Sequence, residues 1–399
     1  MKPIYDPFPI PDHQGLAPTT AAGLRWAAIA DQVVNGSLKL EPNETVLLCA
    51  DPYFGGAALD AVRVAIQQAR GVELATLLHW TPAVSALRQQ NGRNRDAAAD
   101  RAECAAMEKL FGLADAFILL MNDRRSKRRT LAGGMIEPIV EHWKGRAVHL
   151  HWFHDPANED PGTPVNLALD RMYEASIVDL DHAELGRMMR ALAARMAGQT
   201  VHLTDPRGTD LRFTAPRHFH TNYGDASRAR MATLTSGRDR EEELPAGSFR
   251  LLPEPDSAAG VIVMPPAKEG ESPFLGRGFD SRPFAEAGLR FFYEQGRVTR
   301  VVTGGDQTQL DALWAAETGD KDRIGEMILG CNPLLRAVPG SSFQPQYGFG
   351  AGIVRMILGD NVLSGGPHVS SFHRWLMLDD ASVSVNGETI VRDGQFVFK

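Results

Sequence analysis

The chain has 399 residues, of which 43% are hydrophobic and 23% are charged, as in most soluble globular proteins. Its 42 basic and 49 acidic residues give a net charge of −7, which disfavours nucleic acids and anionic membranes as partners. The length exceeds that of one ordinary core, so two domains are expected. Three dispersed cysteines, no apolar leader and no apolar run of about 20 residues predict a soluble protein of the reducing cytoplasm.

Helical and strand patterns alternate over the first half of the chain, which predicts a largely parallel sheet covered by helices. The first predicted helix covers residues 19–36 and stops at Gly36. A second helix is predicted over 55–71, and an amphipathic helix over 182–198. The strands of this half are predicted at 45–50, 72–80, 114–121 and 146–153. The strand at 146–153 is predicted to be the last strand of this set.

The second half of the chain has a different character, because β-patterned segments separated by turn residues replace the alternation. These segments cover 200–215, 260–265, 289–305 and 381–398, and a helix is predicted over 307–317. Asn386-Gly387 and Asp393-Gly394 are dipeptides typical of tight hairpin turns. The sequence therefore predicts an α/β domain with a mostly parallel sheet over 1–198, and a β-rich α+β domain over 199–399.

A cluster of histidines in "HLHWFHD", residues 149–155, is a first candidate site. His149 and His151 share one face of the predicted strand, because side chains alternate along a strand. Histidine is the commonest metal ligand in proteins. The same pattern also fits the polar face of an edge strand, and both interpretations stand at this point.

A second candidate lies in "RFTAPRHFHTN", residues 212–222, where His218 and His220 have strand spacing. Arginines are dense in and around this stretch, and arginine is suited to bidentate capture of a carboxylate. If they line a cleft, an anionic substrate is expected; otherwise they compensate acidic neighbours. The arginines concerned are Arg207, Arg212, Arg217, Arg228 and Arg230.

Glu326 is a third candidate, because it is the one charged residue in the apolar run "IGEMILGCNP". A carboxylate in such surroundings is costly to bury unless it is paired or bound to a metal. This position is therefore a candidate for function as well as for structure.

Several blocks of the second half together resemble the aminopeptidase T and aminopeptidase S type of metallopeptidase. Their superfamily also includes the 2,5-dihydroxypyridine 5,6-dioxygenases, which are non-heme iron ring-cleaving enzymes. The resemblance covers residues 195–399 block by block and implies an N-terminal α/β domain, a C-terminal domain bearing the metal site, and a homodimer. The blocks are "GTDLRF" (208–213), "LPAGSF" (244–249), "IGEMILGCNP" (324–333), "GAGIVRMILGDN" (350–361), "SGG" (364–366), "FHRWLML" (372–378) and "SVSVNGETIVRDGQF" (382–396).

The resemblance implies either two metals held by two Glu, two His and an Asp, or one iron held by two His and an Asp. Glu326 matches the second Glu, and His373 matches the histidine of the family's H-x-D pair. The other positions hold residues that do not ligate in this way: Ser248 for the first Glu, Arg355 for a His and Trp375 for the Asp. We therefore predict that the metal site implied by the resemblance is either eroded or rebuilt.

Taken together, these observations predict an enzyme that acts on a small, anionic amide, amino-acid derivative or heteroaromatic acid by hydrolytic or acid/base chemistry. Two alternatives remain: a ring-cleaving iron dioxygenase with relocated ligands, and a non-catalytic small-molecule-binding protein. The predicted catalytic residues are Glu326, His373 and Arg355. The predicted substrate-binding residues are Arg212, Arg217, His218, His220 and Trp375. A rebuilt site for a divalent zinc, iron or manganese ion would use Glu326, His373 and His368.

Overall fold

The computed structural model describes residues 24–50, 56–78, 97–121, 142–152, 155, 162–234, 238–266, 276–341 and 348–398. They form two compact units. The N-terminal unit comprises the described residues up to Val178 together with Ala226–Leu244. The C-terminal unit comprises Asp179–Asp225 and the described residues from Pro245 onwards. The predicted helix over 182–198 thus belongs to the C-terminal unit, whereas the sequence analysis assigned it to the first domain.

The strands, numbered in chain order, are β1 (Thr45–Ala50), β2 (Val72–Leu78), β3 (Ala116–Met121), β4 (Arg146–His151), β5 (Thr200–Thr204), β6 (Asp210–Thr214), β7 (His220–Asn222), β8 (Glu241–Leu244), β9 (Ser248–Leu251), β10 (Ala259–Val263), β11 (Gly276–Arg277), β12 (Arg290–Glu294), β13 (Arg297–Val302), β14 (Ile324–Gly330), β15 (Val354–Gly359), β16 (His373–Leu378), β17 (Ser382–Val385), β18 (Glu388–Arg392) and β19 (Gln395–Phe396). The α-helices cover Trp26–Asp31, Gly56–Gln68, Ala97–Phe111, Pro164–Val178, His182–Met196, Arg228–Met231, Arg282–Glu286 and Gln307–Ala316.

The first described helix does not stop at Gly36, as its sequence predicted. After Asp31 it continues in the wider π-helical geometry over Gln32–Leu38. This segment buries Val33, Val34 and Leu38 completely. Leu38 lies beyond Gly36, and its burial outweighs the local preference of glycine for a helix end. The start predicted for this helix lies outside the described residues.

The N-terminal unit contains a parallel sheet with the strand order β2-β1-β3-β4-β8. Its central strands read as continuous apolar runs, as expected for parallel strands. Strand β8 pairs with β4, so β4 is not the last strand of the set and its histidines do not lie on an edge strand. Those two expectations were wrong because β8 comes from a distant segment whose "EEEL" sequence carries no apolar strand pattern.

A buried ion pair connects the starts of two strands in this sheet. Arg146, the first residue of β4, donates Nη1–H to Glu44 Oε1 at 2.8 Å and Nη2–H to Glu44 Oε2. Each side chain is only 4% exposed. Arg228 also donates to Glu44 from a more exposed position. Such bidentate pairs are stronger than neutral hydrogen bonds and fix the geometry of both partners.

This pair is expected to make stability depend on pH in the acid range. Burial opposes the ionisation of Glu44, but hydrogen bonds from Arg146 and the Glu41 backbone outweigh it and lower the pKa of Glu44 to about 2 from 4.5. A carboxyl group whose pKa is lower in the folded than in the unfolded chain stabilises the fold at pH values above its unfolded pKa. This contribution is lost as the pH falls from about 4.5 towards 2. We expect about 3 kcal/mol from this group, measured as the pH dependence of urea unfolding. A Glu44→Gln variant with the same pH dependence as wild type would contradict this.

The C-terminal unit contains two antiparallel sheets. Their strand orders are β13-β12-β10-β6-β5-β17-β18-β19 and β11-β16-β15-β14-β9-β7. The predicted helix near 307–317 is present at Gln307–Ala316. The predicted hairpins are confirmed as well: Asn386 and Gly387 join β17 to β18, and all residues of both turn dipeptides have φ between 46° and 84°. The mixed α/β class predicted for the chain is therefore confirmed.

An aromatic cluster lies beside the start of β16. Phe372 is fully buried, and its ring centroid lies 5.5 Å from Phe279, 5.3 Å from Trp314 and 6.3 Å from Phe291. The Phe279 ring is stacked on it, whereas Trp314 meets it edge-on. Aromatic pairs in these arrangements add to the stabilisation from apolar burial. The cluster therefore holds β16, the strand that carries His373 and Trp375, in position.

In the described part of the chain, no helix is both long enough and apolar enough to cross a membrane.

Candidate functional site

The six-stranded sheet carries the predicted catalytic residues on one of its two faces. Ile328 of β14 lies opposite Arg250 of β9 and Arg355 of β15. Ile357 of β15 lies opposite Glu326 and Trp375, and Gly359 lies opposite His373. Residues opposite one another in a sheet share a face, and so do residues two apart along one strand. We call the resulting group the Glu326 face; its members are Arg250, Glu326, Arg355, His373 and Trp375.

Glu326 is buried between two arginines. Its side chain is 1% exposed, and Arg355 Nη2 donates to its Oε1 at 3.3 Å. The Nε atom of Arg250 lies 3.8 Å from Oε2. The pairing meets the requirement that a buried carboxylate be compensated. The formal charges of the three side chains sum to +1, so this part of the face is cationic.

Arg355 is held against aromatic rings. Its guanidinium carbon lies 4.1 Å from the ring centroid of Trp375 and 5.7 Å from that of Phe349. A guanidinium over the face of a tryptophan gains cation–π attraction, and more so when little water is present. The side chain is 7% exposed. The Trp375 indole therefore supports the Arg355 guanidinium.

Both ring nitrogens of His373 are engaged in hydrogen bonds. Trp375 Nε1–H donates to His373 Nε2 at 2.7 Å. Because Nε2 is thus an acceptor, the ring proton is on Nδ1, which donates to the Asp360 carbonyl oxygen at 2.7 Å. Burial lowers the pKa of His373, which also favours this neutral tautomer. His373 therefore positions the Trp375 indole, which in turn supports Arg355.

The residues present do not fit the metals that the family resemblance implies. Ser248, at the first glutamate position, is buried at the start of β9. Arg355 and Trp375 stand at two further ligand positions, and neither a guanidinium nor an indole is a metal ligand of these sites. Both nitrogens of His373 have protein partners. The donor set supports neither a two-metal peptidase centre nor a facial triad for iron.

The alternative metal set is not assembled either. His368 Nδ1 lies 3.8 Å from Asp320 Oδ2, and burial lowers the pKa of this histidine. Among the described residues, Glu326, His373 and His368 do not bring three ligand atoms together. The group that does so in this part of the chain lies in the N-terminal unit and consists of His149, His151 and Glu243.

The predicted substrate-binding residues are divided between different parts of the C-terminal unit. Trp375 belongs to the Glu326 face, and His220 of β7 lies opposite Arg250, on the same side of the sheet. Arg212 is exposed in the eight-stranded sheet and donates to Asp210 at 3.2 Å. Arg217 and His218 are exposed in the segment between β6 and β7.

The arginine-rich stretch also divides. Arg207 pairs with Asp205 and Asp380 in the C-terminal unit. Arg228 and Arg230 belong to the N-terminal unit, where they pair with Glu44 and Glu242. These arginines compensate acidic neighbours, which is the second of the two interpretations left open by the sequence.

Arg250 is a site residue that the sequence analysis missed. It follows Ser248 by two positions in "SFRL" and therefore lies on the same face of β9 as Ser248. The signal available in the sequence was its charge beside Phe249, Leu251 and Leu252. Arg250 thus resembles Glu326, because each is a charged residue among apolar neighbours.

No protein-family model and no curated protein matches this chain. Two solved structures are similar over most of its length. For 2,5-dihydroxypyridine dioxygenase from Pseudomonas putida KT2440, identity is 16%, coverage is 94% of this chain and 97% of that chain, and the TM-score is 0.57. For wild-type AmpT from Thermus thermophilus, identity is 17%, coverage is 93% and 98%, and the TM-score is 0.58. The resemblance found in the sequence is therefore confirmed in the fold, which this chain shares with that dioxygenase and AmpT.

Proposed function

We propose that the protein is an enzyme that binds a small anionic molecule at the Glu326 face and acts on it by hydrolytic or acid/base chemistry, with no metal ion at that face. The observation that supports this most directly is the buried Glu326 carboxylate between Arg250 and Arg355. Arg355 stands where the family resemblance places a histidine ligand, so a guanidinium would supply positive charge there in place of a metal cation.

The substrate class follows from the charge and shape of the face. Arginine recognises carboxylates through a planar fork of donors, and the contact with Trp375 restrains Arg355 before a ligand arrives. The net +1 charge of the three side chains favours one negative charge on the ligand. The similar dioxygenase is named for a dihydroxypyridine, a heteroaromatic ring. We therefore propose a small carboxylate, with heteroaromatic acids first in the order of testing.

Glu326 is the proposed proton acceptor. Its Oε1 accepts a hydrogen bond from Arg355, whereas its buried Oε2 has no hydrogen-bond partner among the described residues. An oxygen of this kind is suited to take a proton from a substrate O–H or N–H, or from a water that attacks the substrate. Arg355 then stabilises the negative charge that develops on the substrate. His373, neutral and bonded to Trp375, keeps the indole in place.

The test is a turnover screen of pyridine carboxylic acids, hydroxypyridines and N-acyl amino acids, each with and without a strong chelator. We expect turnover that the chelator does not change, and a fall in kcat of about 100-fold or more for Glu326→Gln, the range typical of a lost general base. The matched control is Glu184→Gln, which removes an exposed carboxylate paired with Arg187 on the His182–Met196 helix. Oxygen consumption abolished by the chelator would support the dioxygenase alternative, and binding without turnover would support the binding protein.

A further inference from the structure

Strands β4 and β8 bring two histidines and two glutamates together on one face of the parallel sheet. His149 lies opposite Glu243, and Ala147 lies opposite Glu241. Because residues two apart on a strand share a face, His151 and Glu241 lie on the same side as this pair. The histidines are at the carboxyl end of β4, and parallel α/β sheets bind ligands at that end of their strands.

The distances within this group have the scale of a metal coordination sphere. His149 Nδ1 lies 3.3 Å from Glu241 Oε1, and His151 Nε2 lies 3.5 Å from Glu243 Oε1. One ligand atom each of His149, His151 and Glu243 all lie within 4.8 Å of one another. Adjacent ligands of a tetrahedral zinc ion with bonds of about 2.1 Å are roughly 3.4 Å apart. The three ligand atoms of His149, His151 and Glu243 are therefore close enough together to share one ion.

The surroundings of His149 indicate how it would be oriented. Its Nδ1 faces the Glu241 carboxylate, whereas its Nε2 is buried and has no hydrogen-bond partner among the described residues. Metal-binding histidines commonly have one nitrogen on the ion and the other held by a carboxylate. The His151 side chain is 2% exposed and that of Glu243 is 32% exposed, so the group is half-sheltered and open to solvent on the glutamate side.

We propose that His149, His151 and Glu243 bind a divalent transition metal ion of the zinc type, and that Glu241 orients His149. Two imidazoles and a carboxylate suit zinc and its neighbours, whereas calcium and magnesium prefer oxygen ligands alone. Three protein ligands leave a fourth position for water or another small ligand. The site shares no residue with the Glu326 face and is independent of the proposed function.

The test uses the full chain without a polyhistidine tag. Protein stripped with a chelator is incubated with Zn²⁺, separated from free metal and analysed for bound zinc by elemental mass spectrometry. We expect one zinc ion per chain in wild type, and loss of stoichiometric binding in His149→Gln and in Glu243→Gln. Glu241→Gln should weaken zinc binding by about 10-fold or more, as measured by competition with a chromophoric chelator, because it removes an orienting carboxylate.

His202→Gln is the matched control. This histidine lies beside Asp210 on the eight-stranded sheet, with Nε2 2.8 Å from Oδ1, so it tests a histidine–carboxylate pair outside the proposed site. It should bind zinc like wild type. Glu243 is partly exposed, so its variant is expected to fold even if a histidine variant does not, and circular dichroism checks this. Absence of bound zinc in wild type, or stoichiometric zinc in folded Glu243→Gln, would overturn the proposal.

Discussion

Replacing Arg355 with methionine is expected to lower the free energy of unfolding by about 3–5 kcal/mol, the cost typical of removing one partner of a buried ion pair. The substitution removes the guanidinium whose Nη2 lies 3.3 Å from Glu326 Oε1, and leaves Arg250 at 3.8 Å as the other cation beside a carboxylate that is 1% exposed. Methionine matches the aliphatic stem of arginine and has no charge, so it keeps part of the packing in this position. Urea unfolding followed by circular dichroism measures the change.

A double-mutant cycle separates the ion pair from the packing of Arg355. Glu326→Gln combined with Arg355→Met is expected to be less destabilised than the sum of the two single variants by about 1–3 kcal/mol, because the two groups are in direct contact. Arg63→Met is the matched control, since Arg63 pairs with Glu73 at 3.0 Å in a more exposed position. It should change stability by about 1 kcal/mol or less. Strict additivity at Glu326 and Arg355 would show that the pair is not coupled.

Replacing Phe372 with alanine is expected to lower the free energy of unfolding by about 3–5 kcal/mol. The ring is fully buried between Phe279, Trp314 and Phe291, so its removal loses apolar burial and leaves a cavity. Phe372→Leu, which keeps most of the side-chain volume, should cost about 1.5 kcal/mol or less. The same urea unfolding experiment compares both variants with wild type, and equal losses for alanine and leucine would contradict a cavity effect.

Much of the fold follows from local sequence signals. Continuous apolar runs specify the central parallel strands, and the Asn386-Gly387 and Asp393-Gly394 dipeptides specify two hairpins because both of their residues adopt positive φ. The end of the first helix was not predictable from Gly36, since burial of Val34 and Leu38 decides it. Pairing of β8 with β4 was not predictable either, because it depends on tertiary contacts that an acidic tetrapeptide does not encode.

The sequence identified most residues of the candidate site, but not how their side chains contact one another. Charge in an apolar run identified Glu326, and the family blocks identified the positions of His373, Arg355 and Trp375. The structure places these residues on neighbouring strands. Sequence did not reveal that Trp375 donates a hydrogen bond to His373, because that depends on the rotamers of two side chains two residues apart. The catalytic role predicted for His373 stays a prediction, and its two ring nitrogens are bonded to Trp375 and to the Asp360 carbonyl oxygen.

The parallel pairing of β8 with β4 also sets an order of events during synthesis of the chain. A ribosome makes Asp179–Asp225, which belongs to the C-terminal unit, before it reaches Glu241–Leu244, which completes the sheet of the N-terminal unit. Until then one edge of β4 has backbone N–H and C=O groups available for pairing with another chain. A nascent chain paused in this interval, or a fragment cut at Val178, is therefore expected to aggregate more readily than the full chain.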